Sequence, residues 1–326
     1  MNIKPITILL SAAMALSGSV QAAILETGAK GELSWGQYTE TGGNYSTAWG
    51  QYTYAGGNYS TAWGYSASAM DEYSTAWGEG ASAEAPRSTA WGLYTKALGG
   101  YGTAWGKYSE AIGDGSTAWG DSTNAVGKYS TAWGNKSIAQ AEFSTAWGEG
   151  KAIGEYSTAW GNNAQASGTG STAWGRDSVA LGDRSTAWAG GDAEGVSSTS
   201  WAEGHAQGTR STSIGFGTRA LATNSISLGT YNWVNGKDSI ALGNYVNVTG
   251  VASVAIGLGQ VYGIIVDPSD VPELADDRTF AVMGGKMKIC NDNNVCIDDL
   301  QSELQSVKAQ NAELLQRLVA LENKLN

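Results

Sequence analysis

The sequence predicts an all-β solenoid, a roll of about 14-residue coils, followed by a short C-terminal α-helical coiled coil. Three observations predict it. The frame Ser-Thr-Ala-Trp-Gly returns every thirteen or fourteen residues through most of the chain. Each coil divides into two half-coils that share the pattern Ser/Thr-x-Ala-x-Gly. The last thirty residues, 297–326, carry an unbroken heptad seam. A period this short and regular implies one turn of backbone per repeat, stacked along an axis.

The chain opens on a segment that reads as a secretory signal peptide, Met1 to Ala22. Lys4 stands in the n-region, an apolar run covers Ile6 to Leu16, and Val20-Gln21-Ala22 precedes the expected cut. The mature chain is expected to begin at Ala23. With 326 residues, length alone would suggest two globular domains. The repeat overrides that expectation, because a solenoid grows by adding coils and not by enlarging one core.

The roll is assigned to residues 23–259. Its tryptophans are Trp35, Trp49, Trp63, Trp77, Trp91, Trp105, Trp119, Trp133, Trp147, Trp160, Trp174, Trp188 and Trp201. A threonine stands two residues before most of them: Thr47, Thr61, Thr75, Thr89, Thr103, Thr117, Thr131, Thr145, Thr158, Thr172 and Thr186. Toward the C-terminus the same two slots change to Thr212/Ile214, Ile226/Leu228, Ile240/Leu242 and Val254/Ile256. Each half-coil frame reads as a five-residue strand followed by a Gly-assisted corner, with Ser, Ala and Gly on one face and the two x residues on the other. The second half-coil sets the parity. Its x positions carry Lys96, Glu110, Asp192 with Glu194, and His205 with Gln207, and a row of unpaired charges cannot line a closed interior. Small residues are therefore expected inside and the tryptophans outside; the opposite arrangement, with indoles facing small residues across the roll, is the alternative.

An interior of methyl and hydroxymethyl groups leaves the bulk on the outer face of the first strand, as Tyr45, Thr47 and Trp49 in one coil. Coils about 4.8 Å apart turn these into columns. Thirteen tryptophans at roughly 200 Å² each would expose on the order of 2,600 Å², against a few hundred Å² for the usual largest apolar patch of a soluble monomer. The face must be covered. Ile, Leu and Val entering the same columns suit packing against another copy of the chain.

Residues 260–296 break the repeat and are read as a neck. Asp267-Pro268 and Val271-Pro272 mark turns, and Phe280 to Gly285 reads as a short strand. Lys286 to Ile297 reads as a hairpin with Asn291-Asp292-Asn293-Asn294 at its tip and Cys290 and Cys296 on its arms. In an exported chain a Cys290–Cys296 disulfide is the first reading, a staple worth about 2–3 kcal/mol. From Ile297 the seam Ile297, Leu300, Leu304, Val307, Asn311, Leu314, Leu318, Leu321 and Leu325 is spaced alternately by three and four, the signature of a coiled coil. Asn311 falls at an a position, where a polar residue fixes register at some expense of stability. The seam is about 43 Å long. Heptads alone leave the number of strands open.

Catalytic chemistry finds little purchase. The single histidine, His205, stands at a variable outward position, the serines are frame residues without a base nearby, and Asp276-Asp277 lie in a loop without a cleft. Asp292 lacks the spaced carboxylates of a calcium loop. Neither a metal nor a cofactor is expected. Net charge is −11, which argues against binding a phosphate backbone.

The frame Ser-x-Ala-x-Gly, in runs such as Ser239-Ile240-Ala241-Leu242-Gly243 and Ser253-Val254-Ala255-Ile256-Gly257, resembles the head repeats of trimeric autotransporter adhesins of the YadA-like type. The resemblance covers about Gly31 to Gly259, and the heptads from Ile297. It implies a left-handed parallel β-roll, three chains associated through the Thr/Trp columns near a three-fold axis, and a coiled coil behind them. The sequence departs from the pattern in placing Thr and Trp where branched aliphatics are usual. It also stops at Leu325-Asn326 without the amphipathic strands of a C-terminal barrel anchor. The expectation is a homotrimer without an anchor of its own, extracellular, surface-associated or periplasmic, meeting a host, matrix or neighbouring-cell surface. The alternative is a Tyr/Thr/Trp platform for insoluble polysaccharide or ice.

Overall fold

The computed structural model describes residues 24–28, 30–258, 272–283, 289–290, 296–297 and 300–325. Each coil contributes one strand to each of two parallel sheets, so the chain is a parallel β-solenoid of roughly 14-residue turns. In the first sheet, Leu33–Gln37, Thr47–Gln51, Thr61–Tyr65 and their successors pair in strict register, Trp35 opposite Trp49 and Trp49 opposite Trp63. The second sheet is built of two-residue strands such as Tyr54–Ala55, Ser68–Ala69 and Lys96–Ala97. The expected five-residue second strand is thus shortened, because the corner residue before it and the turn after it take up the rest of the half-coil.

The interior is a column of small side chains. Ala48, Ala62 and Ala76 from the first sheet and Ala55, Ala69 and Ala83 from the second are buried. Between them sit buried serines and threonines such as Ser46 and Thr53. Ser46 Oγ donates to the Gly43 carbonyl at 2.6 Å, adding to the bond that the same carbonyl accepts from the Ser46 amide. Toward the C-terminal end the core widens to Val234, Val246, Val248 and Leu274.

The corners differ from expectation in an instructive way. The residue entering each strand is most often not glycine but a tyrosine held in the left-handed region: Tyr45, Tyr52, Tyr59 and Tyr73 have φ of 56° to 57°. Twelve of the 15 tyrosines occupy such corners. Tyr45 therefore belongs to a turn and not to the outer face of the strand. The left-handed conformation costs about 1–2 kcal/mol per residue, and ring stacking between successive coils offsets much of it. Tyr45 lies 5.2 Å from Tyr59, and Tyr59 lies 5.0 Å from Tyr73. Glycine is required one residue after each early tryptophan. Gly50 has φ of 132°, and a Cβ there would stand 1.9 Å from the Gly64 carbonyl oxygen.

The roll begins within its expected limits and extends past them at the C-terminal end. Strand Ile24–Thr27 runs antiparallel to Leu33–Gly36 and pairs the otherwise open first edge. At the other end the repeat does not finish at 259. Glu273–Leu274 pairs with Asn247–Val248, and Phe280–Met283 pairs with Val254–Gly257, in the register of the earlier coils. Leu274 and Ala281 fill the inward slots that Ala takes elsewhere. Residues 259–271 are thus an insertion between half-coils, and part of the expected neck is the last coil of the roll.

Ile289–Cys290 and Cys296–Ile297 form the expected antiparallel pair, with Cys290 opposite Cys296. The proposed tip, the turns at Asp267-Pro268 and Val271, and the leader Met1 to Ala22 lie outside the described residues. So do the cysteine side chains. The helix spans Leu300–Leu325. Ile297, the first residue of the expected seam, is not on it but in the strand Cys296–Ile297 that precedes the helix.

Candidate functional site

The tryptophans face outward. From Trp35 to Trp201 each is 37–44% exposed, while the Ala or Ser that precedes it in each coil is buried. Register does the rest. Because Trp91, Trp105 and Trp119 pair directly across the sheet, their indoles are brought face to face at 4.8–4.9 Å with planes within 2° of parallel. Across the whole series the centroid separations run from 4.3 Å, between Trp147 and Trp160, to 5.0 Å. Stacking hides more than half of each ring. The exposed indole area is accordingly on the order of 1,000 Å², not 2,600 Å². That is still beyond the apolar patch of an ordinary soluble monomer.

The threonine column runs beside the ladder, from Thr47 and Thr61 through Thr172 and Thr186, exposed or half-buried at every coil. Past Trp201 the ladder continues as Ile214, Leu228, Leu242 and Ile256, and the threonine column as Ile226, Ile240 and Val254, all half-buried. Val282 opposite Ile256, and Phe280 opposite Val254, add a further coil to both columns. The structure thus aligns all the sequence-predicted columns on one face.

The opposite sheet presents a mixed face. Lys96 Nζ donates to Glu110 Oε1 at 2.9 Å across neighbouring coils, and that bond raises the Lys96 pKa above its usual value. His205 is less ordinary than its sequence position suggests. Its Nδ1 lies 3.4 Å from Asp192 Oδ2 and its Nε2 3.2 Å from Glu194 Oε1, and the side chain is 28% exposed. The Asp192 hydrogen bond, helped by the Glu194 charge, raises the imidazole pKa despite the opposing effect of burial. The coil period creates this pair of contacts, placing His205 in register with Asp192. The carboxylates approach opposite edges of the ring, so they do not converge on a metal position. Among the described residues no group of three or more His, Cys, Asp or Glu is arranged to hold a metal ion.

On the helix, Leu304, Val307, Leu314, Leu318 and Leu321 are at least half exposed, and Asn311 is exposed among them. Leu300 and Leu325 lie on the same helix. No helix among the described residues is long and apolar enough to cross a membrane.

Residues 125–148, 152–177, 206–232, 220–245 and 235–259 match the YadA head domain repeat. No curated protein matches the chain. The matched coils share one continuous register with the tryptophan coils before them. The coils between residues 125 and 259 are thus similar to YadA head domain repeats.

Proposed function

We propose that this is an exported, non-enzymatic, adhesin-like surface protein that works as a homotrimer, with three left-handed rolls meeting along their Thr/Trp and aliphatic columns. The observation that carries this reading is the ladder itself. An apolar stripe on the order of 1,000 Å² runs the length of the roll and passes without a break into ordinary core residues at Leu228, Leu242 and Ile256. The unpartnered apolar side chains of the helix support it. A parallel coiled coil through Leu304, Val307, Leu314, Leu318 and Leu321, keyed by Asn311, would hold identical chains in one register. The family's heads are structural adhesins, which supports an extracellular or surface location and no catalytic role. The Cys290–Cys296 bond then staples the junction between roll and helix.

The aromatic platform for polysaccharide or ice is disfavoured by ring orientation. Stacking on a sugar needs an exposed ring face. Here each indole stacks on its neighbours at 4.3–5.0 Å between centroids, which covers more than half of it and leaves no ring face wholly free within the ladder. A stripe of this kind suits side chains packed from a second roll.

Equilibrium sedimentation of residues 23–326 tests the assembly. Three copies, with tryptophan emission shifted to the blue and resistant to acrylamide, is the expected result. A folded monomer whose indoles are freely quenched would end this reading.

A further inference from the structure

The ladder face carries two columns of polar atoms that its own chain does not use. From Trp35 to Trp201 no indole Nε1–H has an acceptor among the described residues, and from Thr47 to Thr212 no column hydroxyl has a partner. Thirteen of the 14 tryptophans stand in the ladder; the other, Trp233, lies in the second sheet. Thirteen first-sheet strands open on threonine, the first at Thr47 and the last at Thr212.

The two columns are equal in number and displaced by one coil. The strand of Trp35 begins with Leu33 in the threonine slot, and the strand of Thr212 ends with Ile214 in the tryptophan slot. Beyond that coil both polar columns are gone, replaced by Ile226 with Leu228 and Ile240 with Leu242. Packing against a partner does not by itself call for threonine, since those aliphatic coils fill the same slots without it. Covering a hydroxyl or an indole N–H without a partner is unfavourable, and thirteen of each per copy would oppose any apolar contact. Copies in a closed ring meet through two different surfaces, one from each neighbour, so a donor column can face an acceptor column.

We infer that each ladder indole Nε1–H donates to a threonine hydroxyl of the neighbouring copy, one coil further toward the C-terminus. Trp35 then meets the neighbouring copy's Thr47, Trp105 its Thr117, and Trp201 its Thr212. This register pairs every donor with every acceptor. Pairing within one coil would instead set Trp35 against Leu33 and Thr212 against Ile214, leaving one of each unused. The inference rests on the trimer proposed above and names what fixes its register. It also sets the choice of partner: a roll with aliphatic side chains in both columns would strand the donors, so a second copy of this chain is preferred.

Sedimentation of residues 23–326 over a range of concentrations gives the trimer dissociation constant, and a double-mutant cycle on it tests the pairing. Trp105→Phe keeps an aromatic ring without the N–H, and Thr117→Val keeps the β-branch without the hydroxyl. Thr117→Val alone should raise the dissociation constant about a hundredfold, because it strands one donor in each of three copies. In the Trp105→Phe background the same substitution should change it less than about threefold. Thr103→Val, whose partner is Trp91, should weaken the trimer equally in either background. A trimer that Thr117→Val leaves unchanged or tightens would overturn the pairing while the trimer stands. So would an effect of Thr117→Val undiminished by Trp105→Phe, or an effect of Thr103→Val that Trp105→Phe removes. A parent chain that sediments as a folded monomer would end both readings.

Discussion

Trp105 and Trp119 stack with centroids 4.9 Å apart and planes 2° from parallel, one coil apart on the outer face of the roll. The contact combines two roles. It stabilises a roll whose interior holds little beyond alanine, serine and threonine, and in the proposed trimer it would form part of the contact. Twelve such Trp–Trp contacts, Trp35 to Trp201, are together worth on the order of 10 kcal/mol.

Replacing Trp105 with alanine removes two of those contacts, with Trp91 and Trp119. The expected loss is about 1–3 kcal/mol of stability in chemical denaturation, together with weaker self-association in sedimentation. A change that leaves both quantities untouched would deny the ladder either role.

Gly50→Ala tests the backbone column beside the ladder. The added methyl would meet the Gly64 carbonyl oxygen at 1.9 Å, at a φ of 132° that L-residues seldom adopt. Neither coil can retreat without breaking its ladder of hydrogen bonds. A loss of more than about 3 kcal/mol, or failure to fold, is expected in urea titration. Tyr59→Gly should be nearly neutral by the same measurement, because relief of the left-handed strain offsets two lost stacks.

His205 makes stability depend on pH. Its folded pKa is raised above the ordinary 6.5, so the folded state binds the proton more tightly than the unfolded chain. The stabilisation is complete below the unfolded pKa and is lost as pH rises through the folded one. With partly exposed carboxylate partners the contribution is about 1 kcal/mol or less. Melting curves at pH 5.5 and 8 should separate parent from His205→Gln at the lower pH and converge at the higher. Convergence at both would remove the coupling.

The opposed positions of Cys290 and Cys296 in an antiparallel pair fit the Cα separations that a disulfide spans. Intact mass under non-reducing conditions should be lower than the reduced mass by about two hydrogens. Quantitative alkylation of both thiols without reductant would exclude the staple.

Much of the architecture was legible from the order of residues alone. The fourteen-residue return of Trp105, Trp119 and Trp133 sets the coil, and charges at Lys96 and Glu110 set which face is outside, since neither could be left unpaired in a closed interior. What stayed hidden depended on contacts between coils. A tyrosine in a left-handed corner looks like any outward tyrosine until its neighbour one coil away is seen to stack on it. His205 reads as a solvated imidazole because Asp192 is thirteen residues distant, and only the parallel register brings them together. The resumption of the roll at Glu273 and Phe280 was masked by the inserted 259–271, which breaks the count but not the strand pairing. Period and polarity are local and can be counted along a chain. Ring stacking and shared corners exist only between successive turns, so they were decided by the tertiary structure.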